Sequence, residues 1–443
     1  MAKYLIGLVF LTVFLLCCNS VKRTYHSKAI ILDKELIEDR NDINTQIINQ
    51  NAITYAVKQL EENGGGKLIL PAGIYFIGIN PDSADAAIII KHDNIEIIGK
   101  GRDKTILKTN GTFKIVKGQV KRGHGILIEG SSWTADCRNK RKNIVLRGFQ
   151  LDGQSGYTGN HSFPANINTG DGWDLSHKGI ITNSDRCVDN IILEDLYVHS
   201  YKGEILYSGG LSTRKIKIRN VKTGNTNATC LNLYAAEMSV ESCDFVGPAM
   251  MWMELTARKN LGVGTKNETE VKNCTFTGPT IANAGINLVQ GDSDTHNFIF
   301  KNNTIKNSKG VFGFFGGVAG KVQIEKNILD SVGQALYFGV APGYIGDGKN
   351  KNITFTNNKV SCSGVFAQFY HEAQNVLIKN NKVSGLSEHG TSVMYGNCIL
   401  TNIVFVNSIF ENMRQPQQNA PIKSGEKPRF YKNRFLDTIK KKQ

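Results

Sequence analysis

The sequence predicts an all-β chain folded as a single-stranded parallel β-helix, with one helix ahead of the first coil. Three observations carry this. A six-residue pattern of apolar, variable, polar, polar (often Asn), variable and apolar residues recurs along the chain. Its clearest copies are VKNCTF (271–276), FKNNTI (300–305), IEKNIL (324–329), FTNNKV (355–360), IKNNKV (378–383) and FVNSIF (405–410), with the repeat running at 22 to 31 residues. Between copies lies a second apolar stretch after a Gly or other small residue, as in CLNLYA (230–235), MWMELT (251–256), GINLVQG (285–291), ALYFGV (335–340) and VFAQFY (365–370). Most of these alternate with period 2, the signature of strands. The period is too short and too strand-rich for helical repeats, and no Leu-x-x-Leu-x-Leu ladder is present. Stacked coils, one per copy, satisfy all three observations.

The amino terminus precedes this fold. Lys3 is followed by the apolar run 4–16, which is short for a membrane span, and then by Leu15-Leu16-Cys17-Cys18. Residues 1–18 are expected to be a lipoprotein-type signal with Cys18 lipidated, or an ordinary secretory signal. Residues 19–41 are expected to be a linker. The β-helix is expected over 42–439 and a basic tail over 440–443. This arrangement implies an extracytoplasmic monomer, secreted or held at the cell envelope through its lipid.

Composition fits a folded chain: 443 residues, 40% hydrophobic and 21% charged. The net charge of +15 is local. Residues 100–142 carry twelve Lys/Arg against three acids, and residues 421–443 carry eight against two, while the long middle is nearly neutral. That pattern does not call for a nucleic acid or another highly charged partner. Of the nine cysteines, seven lie beyond the signal with no Cys-x-x-Cys pair, so buried thiols are expected rather than a zinc site.

Residues 42–77 show a helical pattern at Ile47, Ile48, Ala52, Ala56 and Leu60, then Gly64-Gly65-Gly66, then a strand from Leu68. A phosphate-binding loop needs strand, glycines, helix, because the helix amino terminus holds the anion. Here the order is reversed, so the glycines end a helix and start a turn. Within the coils, the repeated Asn suits a tight left-handed turn. Asn303, Asn327, Asn358 and Asn381 should stack in one ladder, with Cys243 and Cys274 in the same register.

The stretch NGGGKLILPAGIYFIG (63–78), its preceding helix and IEIIGKGRDKTIL (95–107) resemble the start of the pectate-lyase superfamily, in its rhamnogalacturonase/epimerase-like branch. The resemblance implies a right-handed coil with the helix as its amino-terminal cap. It covers about residues 42–110 closely and the rest only as coil architecture. It does not fix the reaction, since lyases, hydrolases, epimerases and phage tailspikes share the scaffold. The superfamily's polygalacturonase-type hydrolases carry Asn-x-Asp, an Asp pair, Gly-His-Gly and Arg-x-Lys in that order. Here Gly123-His124-Gly125 precedes any acidic pair, and no adjacent Asp-Asp occurs. A clear set of pectate-lyase calcium aspartates is also missing, which leaves calcium open and no cofactor assigned.

Alternation along the strands after each Gly places Asn232, Tyr234, Trp252, Glu254, Asn287, Tyr337, Gln368 and Tyr370 outward. Rings and amides on one stacked face suit a sugar groove. Two loops are dense in reactive groups: Asp171, Trp173, Asp174, His177 and Lys178 in 168–179, and His199, Tyr201, Lys202 and Glu204 in 199–205. Glu204 and Glu254, about 10 Å apart across two coils, have a spacing near that of inverting glycosidase carboxylates. Lys202, or a Tyr/His pair, could instead remove the proton alpha to a uronate carboxyl, with Arg258 neutralising that carboxylate. His296 and His371 with Asp292, Asp294 and Glu372 match no known metal-ligand spacing. The functional expectation is polysaccharide cleavage, by β-elimination at a uronate. A glycoside hydrolase and a non-catalytic glycan-binding β-helix remain the alternatives.

Overall fold

The structure is a computed structural model. It describes residues 28–436 apart from 79–85, 110–113, 117–118, 122–123, 130–140, 155–176, 183–187, 209–212, 227, 248, 258–265, 281, 291–294, 316–319, 340–349 and 387–389. Cys18, Asp174, Arg258 and the 440–443 tail therefore lie outside the described residues.

Parallel strands stack into coils along the whole chain. A twelve-stranded sheet runs from Ala86–Ile90 to Gln417–Gln418. A 26-stranded assembly covers the other faces. It consists of two strand stacks that merge where Arg141–Asp152 and Val188–Tyr201 run through both. Inward side chains fill the space between the faces: Phe245 stacks on Phe276, and Phe338 on Phe369, with ring centroids 4.8 and 4.3 Å apart. Leu206, Leu231, Met253, Ile286, Phe312 and Leu336 form one continuous inward column of the twelve-stranded sheet. Parallel pairing in register brings like side chains together once per coil, which is why a loose sequence repeat yields a continuous core.

The Asn ladder exists, and its chemistry is more exact than a turn preference. Asn303 donates from Nδ2 to Asn327 Oδ1 at 3.0 Å, Asn327 to Asn358 at 3.0 Å, and Asn358 to Asn381 at 3.2 Å. Each oxygen also accepts the backbone N–H of the preceding ladder residue, at 2.9 Å in all three steps. The second amide proton of Asn303, Asn327 and Asn358 goes to the backbone oxygen of Val271, Phe300 and Ile324. The left-handed residue is the one before: Asn302, Lys326, Asn357 and Asn380, at φ 55–57°. Cys274 and Cys243 continue the ladder upstream, and Ser408 and Asn433 downstream. Buried polar groups are tolerated because every one finds a partner on the next coil. The described cysteines Cys230, Cys243, Cys274, Cys362 and Cys398 are free and buried.

The helix spans Ile43–Glu62. Asp42 caps it by accepting the Thr45 N–H at 2.9 Å, and Gly64, Gly65 and Gly66 all take positive φ at the turn that follows. Its buried face differs from the expected one. Ile53, Ala56, Val57 and Leu60 pack inward, whereas Ile47 and Ile48 are about half exposed. Asn49 sets this rotation: it is buried, accepts the Ile37 N–H at 2.7 Å and donates to the oxygens of Ile37 and Phe76. The segment expected as a linker contributes a strand, Ala29–Ile31, which pairs in parallel with Gly66–Ile69. The described coil stack therefore begins before residue 42.

Candidate active site on the twelve-stranded sheet

At the start of at least five strands of this sheet, two consecutive residues point inward. Ile205 and Leu206, Cys230 and Leu231, Trp252 and Met253, Val311 and Phe312, and Phe366 and Ala367 are all buried pairs. Trp252 and Met253 both direct their N–H groups to Gly285 O, at 2.8 and 3.0 Å. The chain turns a corner here, and simple alternation slips by one residue. Residues after the pair face out as expected; residues before it lie in a second outward column.

The main outward column is set by the strand register. Tyr207 lies beside Asn232, Asn232 beside Glu254, Glu254 beside Asn287, then Gly313, Tyr337, Gln368 and Met394. Asn232, Glu254, Asn287, Tyr337 and Gln368 therefore share one face. Tyr234 lies two residues further along its strand, and Tyr370 lies two residues beyond Gln368, just past the end of Val365–Phe369. Asn232 and Asn287 flank Glu254 and are buried, and neither Oδ1 has a hydrogen-bond partner among the described residues. Buried amide oxygens left without partners are costly and await a donor.

Trp252 is the correction. It was expected outward, as a sugar platform. It is 0% exposed, its ring lies 5.5 Å from Phe276, and a methyl group at Gly285 would strike its six-membered ring. The inward corner pair places it in the core.

The second outward column begins with His124, Lys178 and Glu204. Gly125, Gly179 and Ile205 after them turn inward, so these three side chains face out on successive coils. Lys178 Nζ lies 2.7 Å from Glu204 Oε2, and both side chains are almost fully buried. The same ammonium sits 3.7 Å from the centroid of the Tyr207 ring. Tyr234 stands beside Tyr207 with ring centroids 6.4 Å apart. His124 Nδ1 accepts the Lys178 N–H at 3.1 Å, and one coil on His177 Nδ1 accepts the Lys202 N–H at 3.2 Å. The paired backbone bonds fix both rings and with them the start of each strand.

Glu204 and Glu254 lie farther apart along the sheet than the expected two-coil spacing. Leu206 aligns with Leu231 and Met253, so Glu254 is displaced from the Glu204 column by three residues as well as two coils. At ~3.3 Å per residue and ~4.8 Å per coil their backbones are about 14 Å apart, and Glu204 is already paired with Lys178. His177 packs against the buried Tyr201 at 4.8 Å. Burial, then the nearby Lys202 charge, lowers its pKa to about 4, so it is a neutral wall residue at ordinary pH. Lys202 is half-buried at the same corner. His296 is buried, with Nε2 at 2.8 Å from Thr269 Oγ1. The described residues include no group of three or more His, Cys, Asp and Glu able to hold a metal ion; Asp292 and Asp294 lie outside them. Lys178 belongs to a loop the sequence marks as dense in reactive groups, but its pairing with Glu204 and Tyr207 and the outward place of His124 escape sequence reading, because each residue precedes or follows the corner that breaks alternation.

No protein-family model matches the chain. Over 153 residues it is 25% identical to the mannuronan C5-epimerase AlgE3 of Azotobacter vinelandii, a match covering 34% of this chain and 7% of that protein. The chain thus matches only a small part of that relative's length. The tailspike protein of E. coli bacteriophage HK620, solved with a pentasaccharide, superposes with a TM-score of 0.56 at 13% identity, covering 93% of this chain and 67% of that one. The A-module of the Azotobacter vinelandii mannuronan C-5 epimerase AlgE6 gives 0.47 at 14% identity, covering 88% and 95%. The chain has the right-handed parallel β-helix fold that this tailspike protein also has.

Proposed function

We propose that this protein acts on a uronate-containing polysaccharide laid along the twelve-stranded sheet, removing the proton alpha to a sugar carboxylate. The observation that carries the reading is the buried Lys178–Glu204 ion pair seated against Tyr207. Burying two charges is expensive and seldom adds stability, so such a pair in an outward column points to chemistry. Lys178 over the ring stabilises the Tyr207 phenolate that accepts the proton, and the negative charge that builds on the substrate carboxylate as the proton leaves. Glu204 holds Lys178 in place. Tyr207 and Tyr234 are placed to act as a pair, one taking the proton and the other delivering one. Asn232, Glu254 and Asn287 recognise hydroxyl groups on the adjoining sugars.

In β-elimination, the Tyr207 phenolate takes the C5 proton, the C4–O bond breaks, a C4–C5 double bond forms, and the leaving oxygen takes a proton from the Tyr234 hydroxyl; exchange with water returns both rings to their starting states. The second reading is C5 epimerisation, favoured by the sequence match to a mannuronan C5-epimerase. It begins with the same proton removal and ends with a proton returned to the opposite face. The test is incubation of the signal-free protein with acidic and neutral polysaccharides. Ultraviolet absorbance of an unsaturated uronate supports elimination, and an altered uronate composition without it supports epimerisation. New reducing ends without either, or binding without turnover, would replace both readings with a hydrolase or a glycan-binding protein. The Leu15-Leu16-Cys17-Cys18 sequence supports export and lipid anchoring at Cys18; mass spectrometry of wild type and Cys18→Ser tests it.

A further inference from the structure

The main outward column has two chemically different ends. Near Tyr207 it is charged and buried. Five coils on, at Tyr337, it is aromatic and open, and between the two the column holds only amides, Glu254 and Gly313. Gly313 lies beside Tyr337 and presents bare backbone. Gly339 lies two residues beyond Tyr337 on the same strand, and a methyl group there would run into the Tyr337 ring. The ring thus leans flat over glycine. Tyr370 stands edge-on to it, centroids 5.9 Å apart and planes at 67°, and is 45% exposed. Gln368 lies between them on the next coil, fixed by Gln334 Nε2 at 2.8 Å from its Oε1 and by its own Nε2 at 3.4 Å from Met394 Sδ. An L-shaped pair of rings with an oriented amide offers a pyranose one apolar face, one edge and a hydrogen-bonding group.

We propose that Tyr337, Tyr370 and Gln368 form a distal sugar-binding subsite that makes turnover depend on chain length. The inference rests on the uronate reading for the reactive end. At ~4.8 Å per coil, Tyr337 lies about 24 Å from Tyr207. A unit of an extended pyranose chain spans roughly one coil spacing, so about five units bridge the two ends. Oligomers shorter than this reach one end only, whereas longer ones gain both sets of contacts in a single molecule.

The test uses the signal-free protein with oligomannuronate and oligogalacturonate from disaccharide to decasaccharide. Wild type should show kcat/KM rising steeply up to about the hexasaccharide and then levelling. Tyr337→Ala and Tyr370→Ala should each reduce the long-to-short ratio of kcat/KM about tenfold, mainly through KM. Tyr370 is the safer variant for folding, and thermal unfolding checks both. Calorimetric binding of the decasaccharide separates the two readings. If wild type binds it while both tyrosine variants bind weakly, the subsite stands even if no turnover occurs. A long-to-short ratio that both variants leave intact overturns the subsite whatever the activity. So does decasaccharide binding that the tyrosine variants keep, or wild type failing to bind any probe.

Discussion

Lys178 Nζ and Glu204 Oε2 are 2.7 Å apart, on adjacent coils, in side chains 3% and 0% exposed. A pair this deep is costly to break from one side. Lys178→Met or Glu204→Gln alone leaves an uncompensated buried group and should cost about 3–5 kcal/mol. The double variant Lys178→Met/Glu204→Leu should recover most of that loss while remaining inactive. Thermal unfolding midpoints alongside turnover check this; a double variant as unstable as the singles would make the pair structural.

Gly285→Ala should destabilise by about 1–3 kcal/mol, because the added methyl meets the Trp252 ring carbons at 2.5 and 2.7 Å. Tryptophan emission should shift as the ring is pushed. An unchanged spectrum and midpoint would contradict the inward placement of Trp252.

Asn327 donates to Phe300 O and Asn358 Oδ1 and accepts from both the backbone N–H and the Nδ2 of Asn303. Asn327→Ala strands the buried donors of Asn303 and should cost several kcal/mol, at roughly 1–3 per unsatisfied group. Asn303→Ala should cost less than Asn327→Ala, since the groups it strands upstream are fewer and lie against Cys274. Denaturant titration of the two variants ranks them; the reverse order would contradict the ladder.

Burial lowers the pKa of both His177 and His296 to about 4, with the Lys202 charge adding to the shift of His177. Above the ordinary value of 6.5 both rings are neutral, folded or unfolded, and no penalty arises. As pH falls from 6.5 toward about 4, the unfolded chain takes up protons that the folded chain refuses. Stability should therefore drop across that window and level off below it, by up to about 3 kcal/mol per ring. Urea midpoints measured through that range should show the drop, and His177→Asn should flatten part of it. A flat wild-type profile would contradict the burial.

The coil architecture was legible because stacking demands a repeat: the copies from VKNCTF to FVNSIF fall on consecutive coils. The Asn ladder was legible for the same reason, although its residues bond across coils rather than within their own turns. Asn232, Tyr234, Glu254 and Asn287 lie downstream of the corner, where period 2 holds, and their facing was readable. Trp252 lies on the corner itself, where two residues in a row turn inward, and period 2 gives it the wrong face. The Lys178–Glu204–Tyr207 group was hidden because its members are 26 and 3 residues apart in sequence. Only the register of the sheet brings them together. The helix was found, but its buried face was misread by the side-chain hydrogen bonds of Asn49, which no hydrophobic pattern reports.

Proton removal next to a uronate carboxylate, proposed for Tyr207 and Lys178, leaves an isotopic trace at C5. Nuclear magnetic resonance of polymannuronate and polygalacturonate incubated with the protein in heavy water tests it most directly. The expected result is deuterium at C5 of converted residues, or an unsaturated residue at new chain ends. Either signal should vanish in Tyr207→Phe and Lys178→Met. Cleavage or turnover with C5 fully protonated and no unsaturated end would contradict it, as would undiminished deuterium incorporation in both variants.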